Sequence, residues 1–162
     1  MTTLNLHCTQ KLRDKLKAEP VLPVPTDHWL GTWYATVLMW RPQVVLLVNE
    51  QTLLPVLMPA APSSTLVQRL PAEIKRMLLA IEVSTSTVDQ ALDDLKAAAI
   101  CKTASRSLVG TMNEFCFLAE SYRGGMGTLD PLGIALKLAQ TPCGGKVGYR
   151  YPVDLVKQKL LH

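Results

Sequence analysis

A chain of 162 residues, 48% of them hydrophobic and 19% charged, carries enough apolar surface to offset the entropy of ordering, which argues against disorder. At this length a core needs neither a disulfide nor a metal as a staple. The net charge of +4, from 17 basic and 13 acidic residues, permits an acidic partner but lacks the dense Lys/Arg stripe of a dedicated nucleic-acid binder.

Met1 to Gln10 lacks the basic end and apolar run of a secretory signal. The longest apolar candidate is bounded by Arg41 and Asn49–Glu50, short of a membrane span. Cys8, Cys101, Cys116 and Cys143 have no zinc-type spacing. The first three are flanked by apolar residues and read as small buried hydrophobes. These features point to the cytoplasm, with reduced thiols.

The chain opens with alternation. Leu4, Leu6 and Cys8 fall on one side and Asn5 and His7 on the other, which predicts a half-buried strand over Thr3–Thr9. Thr9 is placed to cap a short helix, Gln10–Lys17, with Leu12 and Leu16 on one face. Pro20, Pro23 and Pro25 then impose an extended loop. Trp33–Trp40, Gln43–Asn49 and Leu53–Met58 read as three strands joined by short polar connections, an antiparallel meander. The unbroken apolar run of the second strand predicts burial on both faces and an interior position.

Pro59 to Ser64 is expected to be a loop, followed by a helical stretch in two pieces. Ser63 or Ser64 would cap the first piece, and Pro71 would open the second. Ile74, Met77, Leu78 and Ile81 form its stripe. Thr87 with Gln90 matches a capping box, with Val88, Ala91, Leu92 and Leu95 inward. Ala97–Thr103 reads as a strand. Ser105 or Ser107 opens the strongest helix, carrying Leu108, Met112, Phe115, Leu118, Ala119 and Tyr122, with Gly124–Gly125 as its stop. Ile134, Leu136 and Leu138 alternate with Ala135, Lys137 and Ala139, predicting another strand. Pro142–Gly145 reads as a turn, and Pro152 opens a last helix with Val153, Val156 and Leu160 inward. The order predicts one α+β domain over residues 1–162: a mixed, largely antiparallel sheet with a three-strand meander, packed by helices.

Three polar segments border these elements. Cys8-Thr9-Gln10-Lys11 lies where a strand enters a helix, so free helical N–H groups and Lys11 would suit an anion, although an ordinary N-cap explains the same residues. Lys102-Thr103-Ala104-Ser105-Arg106-Ser107 lies at a second such junction. Its hydroxyls and two cations could cradle phosphate or carboxylate, against the reading of a capped loop with solvated charges. It lacks the P-loop pattern. Asn113 and Glu114 follow in the next turns, either lining a site beside Arg106 or facing water. Gly148-Tyr149-Arg150-Tyr151 places Arg150 between two tyrosines, suited to stacking or carboxylate binding and equally to packing a terminal helix. Trp29, Trp33 and Trp40 read as core and edge packing, with a partner-binding patch as the sharper alternative.

Catalytic sets fare poorly. Of the three histidines, His162 is terminal, so a Ser/His/Asp or Cys/His set would need His7 or His28, and the sequence has no nucleophile elbow of the GxSxG type. Asp93–Asp94 and Glu114–Glu120 lack the spacing of a paired-carboxylate site. Gly124-Gly125-Met126-Gly127 ends a helix and is a poor dinucleotide loop.

Several of these segments combine. They are Leu6-His7-Cys8-Thr9-Gln10-Lys11-Leu12, Trp33-Tyr34-Ala35, Val48-Asn49-Glu50-Gln51-Thr52-Leu53, the run Lys102 to Glu114 and Gly148 to Asp154. In this order they resemble a widespread bacterial family known only as a domain of unknown function. The resemblance covers nearly the whole chain. It implies a bacterial, cytosolic, single-domain protein and transfers no activity or catalytic residue. The Ala18–Pro25 and Gly124–Gly127 segments look less typical of it.

The expectation is therefore a small non-enzymatic protein that binds a macromolecular partner through Lys11, Lys102, Ser105, Arg106, Asn113, Glu114 and Arg150. It needs no cofactor and no metal, and its partner is a protein or protein–nucleic-acid complex. By association alone, a mobile-element or defence-system protein fits, such as an inhibitor of a nucleic-acid-targeting complex. Two alternatives stand beside it. One is an enzyme on a phosphate-bearing substrate, with Lys11, Lys102, Arg106 and Arg150 gathered in one pocket near His7 or Glu114. The other is direct nucleic-acid binding. Convergence of Lys11, Arg106 and Arg150 would favour the enzyme, and scatter would favour partner binding.

Overall fold

The computed structural model describes residues 2–126, 130–143 and 150–160. One five-stranded sheet organises them, in the order β4-β3-β2-β1-β5. Strand β1 (Thr2–Cys8) lies between β2 (Thr32–Leu38) and β5 (Leu95–Lys102), parallel to both. Strands β3 (Val44–Asn49) and β4 (Pro55–Pro59) continue from β2 as an antiparallel meander. The sheet is mixed, as expected: its meander half is antiparallel and its other half parallel. The apolar run of β3 is buried along its whole length and lies inside the sheet.

Parallel neighbours require crossovers. Helix α1 (Gln10–Leu16) and the proline-rich loop join β1 to β2. Helices α2 (Leu66–Ala80) and α3 (Thr85–Leu92) carry the chain from β4 at one edge to β5 at the other. Helix α4 (Arg106–Met126) packs on β2 and β3. It buries Leu108, Met112, Phe115 and Ala119, the stripe its periodicity predicts. Helix α5 (Pro131–Ala139) lies against β4 and touches α4 and α2, so it covers that edge of the sheet. Helix α6 (Pro152–Leu160) buries Pro152 and Val156. Trp33 and Trp40 are core residues. The Trp33 indole donates to the Leu30 carbonyl, and Trp40 donates to Glu120 beneath the Arg123 guanidinium.

Several expectations are corrected. Ile134 to Ala139 forms a helix, not a strand. The alanines that seemed to face water, Ala135 and Ala139, are buried with Ile134 and Leu138. That is helical spacing, and Pro131 opens the first turn. Pro71 lies inside a continuous 15-residue α2 instead of opening a second piece. A 3-10 turn, Ser63–Thr65, runs directly into that helix, and neither Ser63 nor Ser64 caps it. Helix α3 starts earlier than the Thr87–Gln90 box implied. Ser84 is its cap, accepting the Thr87 N–H, and Leu95 belongs to β5. Helix α4 continues through Gly124 to Met126. Asn5 and His7, placed on the polar side of β1, are as buried as their neighbours. The Pro142–Gly145 turn falls partly, and Gly127 and Gly148–Tyr149 wholly, outside the described residues.

Candidate functional site

The carboxyl ends of β1, β2 and β5 lie side by side, and in open sheets of this kind ligands favour that end. Here it holds a buried polar cluster. His7 stands opposite Tyr34 in register, and their rings stack at 4.7 Å with planes 11° apart. The His7 Nδ1 lies 2.7 Å from the Lys102 carbonyl. A carbonyl only accepts, so Nδ1 carries the proton, and in the neutral ring Nε2 is the basic nitrogen. The Tyr34 hydroxyl accepts the Ser105 N–H at 3.0 Å, and Ser105 Oγ in turn accepts the Leu108 N–H at 3.2 Å. This chain pins the start of α4 to β2 and confirms Ser105 as its cap. Thr9 does not cap α1 through its side chain. Its hydroxyl bonds that of Thr36 at 3.0 Å. Tyr34 and Thr36 were missed in the sequence because only parallel register brings them to His7 and Thr9.

Above this cluster, the outer face of α4 borders an open hollow of about 380 Å³ lined by Thr103, Ala104, Ser105, Arg106, Gly110 and Asn113. Arg106, Gly110 and Asn113 are spaced i, i+4, i+7 and share one face. That face is opposite the buried stripe of Leu108, Met112, Phe115 and Ala119. A Cβ built on Gly110 would meet nothing within 4 Å. Internal packing therefore gives no reason for glycine here, although it costs roughly 1 kcal/mol of helix stability relative to alanine.

Ser105, Arg106 and Asn113 are thus brought together, with Lys102 exposed at the end of β5, the residue before the hollow's lining begins at Thr103. The remaining candidates are not. Lys11 borders a different hollow with Asp14, Lys15 and Gln43, and its charge is felt at Cys116 farther along α4. Arg150 lines a third with Tyr151, Asp154 and Gln158, its backbone paired with Cys143. Glu114 lies outside the Arg106 hollow, and its charge helps raise the Cys143 thiol. Lys11, Lys102, Arg106 and Arg150 are all exposed. Away from these hollows, Lys75 and Asp89 form an ion pair at 2.7 Å.

Burial pushes the thiols up. Cys8 rises to about 12, with the neighbouring Cys101 adding to the effect, and Cys116 and Cys143 rise to about 11. Such thiols are not nucleophiles at neutral pH. No helix among the described residues is long and apolar enough to cross a membrane.

Fold and site together define an α+β protein with one mixed sheet and an exposed, polar helix start at the carboxyl end of its parallel strands. The chain belongs to the family described as Domain of unknown function (DUF6933), whose model matches residues 5–155. No curated protein and no solved structure matches it.

Proposed function

We propose that the protein acts by binding a macromolecular partner in the cytoplasm, a protein or protein–nucleic-acid complex, through the outer face of α4. The observation that carries this reading is Gly110. It stands between Arg106 and Asn113 on the wall of an open hollow, where no contact within the chain calls for glycine. Close approach by another molecule is the physical reason to omit a side chain there. Arg106 and Lys102 supply charge around it, and the separation of Lys11 and Arg150 into other hollows argues against one convergent phosphate pocket. An inhibitor of a nucleic-acid-targeting complex is one concrete version.

The test is a pull-down from the native host with mass spectrometry, using the wild-type chain, Arg106→Ala and Gly110→Ala. Both variants should lose the partner, while Gly110→Ala raises folding stability by about 0.5–1 kcal/mol. A more stable variant that loses its partner separates recognition from folding. Full recovery by both variants would overturn the proposal. Affinity for bare nucleic acid that falls steeply with salt would instead indicate direct nucleic-acid binding.

A second reading, an enzyme acting on a nucleotide or RNA, is favoured by one observation: the basic Nε2 of His7 at the same end of the sheet as Lys102 and Arg106. It predicts turnover of some member of a nucleotide and RNA panel, reduced about 100-fold or more in His7→Gln. Turnover indifferent to that substitution, or none, removes this reading.

A further inference from the structure

We propose that Lys17–Pro25 is a docking motif for a partner domain that reads polyproline II helices in an aromatic-lined groove with an acidic pocket at one end. This surface is independent of the α4 face. The segment reads Lys-Ala-Glu-Pro-Val-Leu-Pro-Val-Pro, so a cation stands three residues before Pro20, and Pro20 three before Pro23.

Proline locks φ near the polyproline value at positions 20, 23 and 25 and pushes Glu19, Leu22 and Val24 into the same region. Residues 18–28 carry no regular secondary structure, and none of them has positive φ. The anchoring follows the period of about three residues per turn expected of that helix. The Val21 N–H donates to the Ile100 carbonyl at 2.9 Å. Three residues on, the Val24 N–H donates to Asn5 Oδ1 at 2.9 Å and its carbonyl accepts Asn5 Nδ2 at 2.7 Å. One edge of the segment is therefore held on the sheet by a buried asparagine of β1.

From Val21 to Pro25 the side chains are left outside, while Pro20 is half-buried. Leu22 is 88% exposed, Val21 55% and Val24 43%, and Pro23 and Pro25 are exposed with them. A strap whose role was only to cover β1 and β5 would turn these residues inward, since each buried aliphatic side chain contributes about 1.5–3 kcal/mol. Held by its backbone and presenting its apolar groups, the segment is already ordered for binding, which lowers the entropy cost of association. Lys17, exposed where α1 ends in a left-handed residue with φ of 54°, selects the occupant: its ammonium calls for a groove flanked by carboxylates.

The test titrates the full chain into a panel of SH3 domains that prefer a cation three residues before the first proline, followed by the fluorescence of their groove tryptophan. Saturable binding is expected for the wild type. Pro20→Ala/Pro23→Ala and Leu22→Asp should each weaken it by about tenfold or more, and Lys17→Glu should act in the same direction. Leu22 is too exposed for its replacement to unfold the chain, and unchanged circular dichroism checks this. Arg106→Ala should leave the binding intact, which keeps this result separate from the α4 reading. No saturable response, or equal affinity in the variants, overturns the proposal. So does self-association, seen by sedimentation, that these substitutions abolish, because the occupant would then be a second copy.

Discussion

Replacing Asn49 by alanine is expected to lower the unfolding free energy by about 3–5 kcal/mol, because buried polar groups left without partners each cost roughly 1–3 kcal/mol. Asn49 is fully buried at the end of β3. Its Nδ2 donates to the Trp29 carbonyl at 2.9 Å. Its Oδ1 accepts the N–H groups of Gln51 and Thr52 at 3.1 and 2.9 Å and the Thr52 hydroxyl at 2.9 Å. One side chain thus closes the β3–β4 turn and holds the approach to β2. Alanine would strand the buried Thr52 hydroxyl and leave the part-buried Trp29 carbonyl without its donor. Thr52→Val removes a single hydroxyl from the network and should cost less, about 1–2 kcal/mol. Urea unfolding checks both; a loss below about 1 kcal/mol for Asn49→Ala would show that water or a backbone shift replaces the network.

Stability should also fall as pH rises from about 9 toward 12, with Cys8 the largest thiol contributor. The folded state holds the Cys8 proton to about 12, from an ordinary value of 9.0, because burial penalises the thiolate. Between those values the unfolded chain releases the proton and the folded chain keeps it. The stabilisation is complete below pH 9 and is lost on the way up. At about pH 10.5 this amounts to roughly 2 kcal/mol, at 1.36 kcal/mol per pH unit. Alkaline pH acts on more of the chain than this one thiol, so the measurement is the difference between wild type and Cys8→Ala in urea at about pH 8 and pH 10.5. The wild type should lose more stability than the variant. Parallel losses would mean that Cys8 ionises freely.

The legible parts of this chain were those whose signal is local. The strand at β1, the unbroken apolar run of β3 and the i, i+4, i+7 stripe of α4 all survive in the fold, although the polar side expected of β1 is buried as well. Alternation misled at Ile134–Ala139 because alanine counts as a spacer in a two-residue period and as core in a helical one. Asn49 and Thr52, the ends of a short polar connection in the sequence, form a buried hub while Glu50 and Gln51 stay exposed, since nothing in the neighbouring residues shows that Trp29 and Thr32 lie over it. The same limit applied to the candidate site. Ser105, Arg106 and Asn113 are close in sequence and on one helix, so their convergence could be read in advance. Whether Lys11 and Arg150 would join them depended on where α1 and α6 pack.

By itself the sequence determined the mixed sheet with its meander, the long α4 with its polar start, and the extended proline segment, because each follows from periodicity, capping or fixed φ angles over a few residues. Only the tertiary structure decided that β1 lies between β2 and β5, and this one placement stacks His7 on Tyr34 and ties both to the start of α4. It also buries Asn5 as the clamp on the proline strap and separates the cations into different hollows. Pairings between residues up to 95 positions apart, such as His7 with Lys102, are selected by the burial of whole faces at once, and no short window of the chain contains that information.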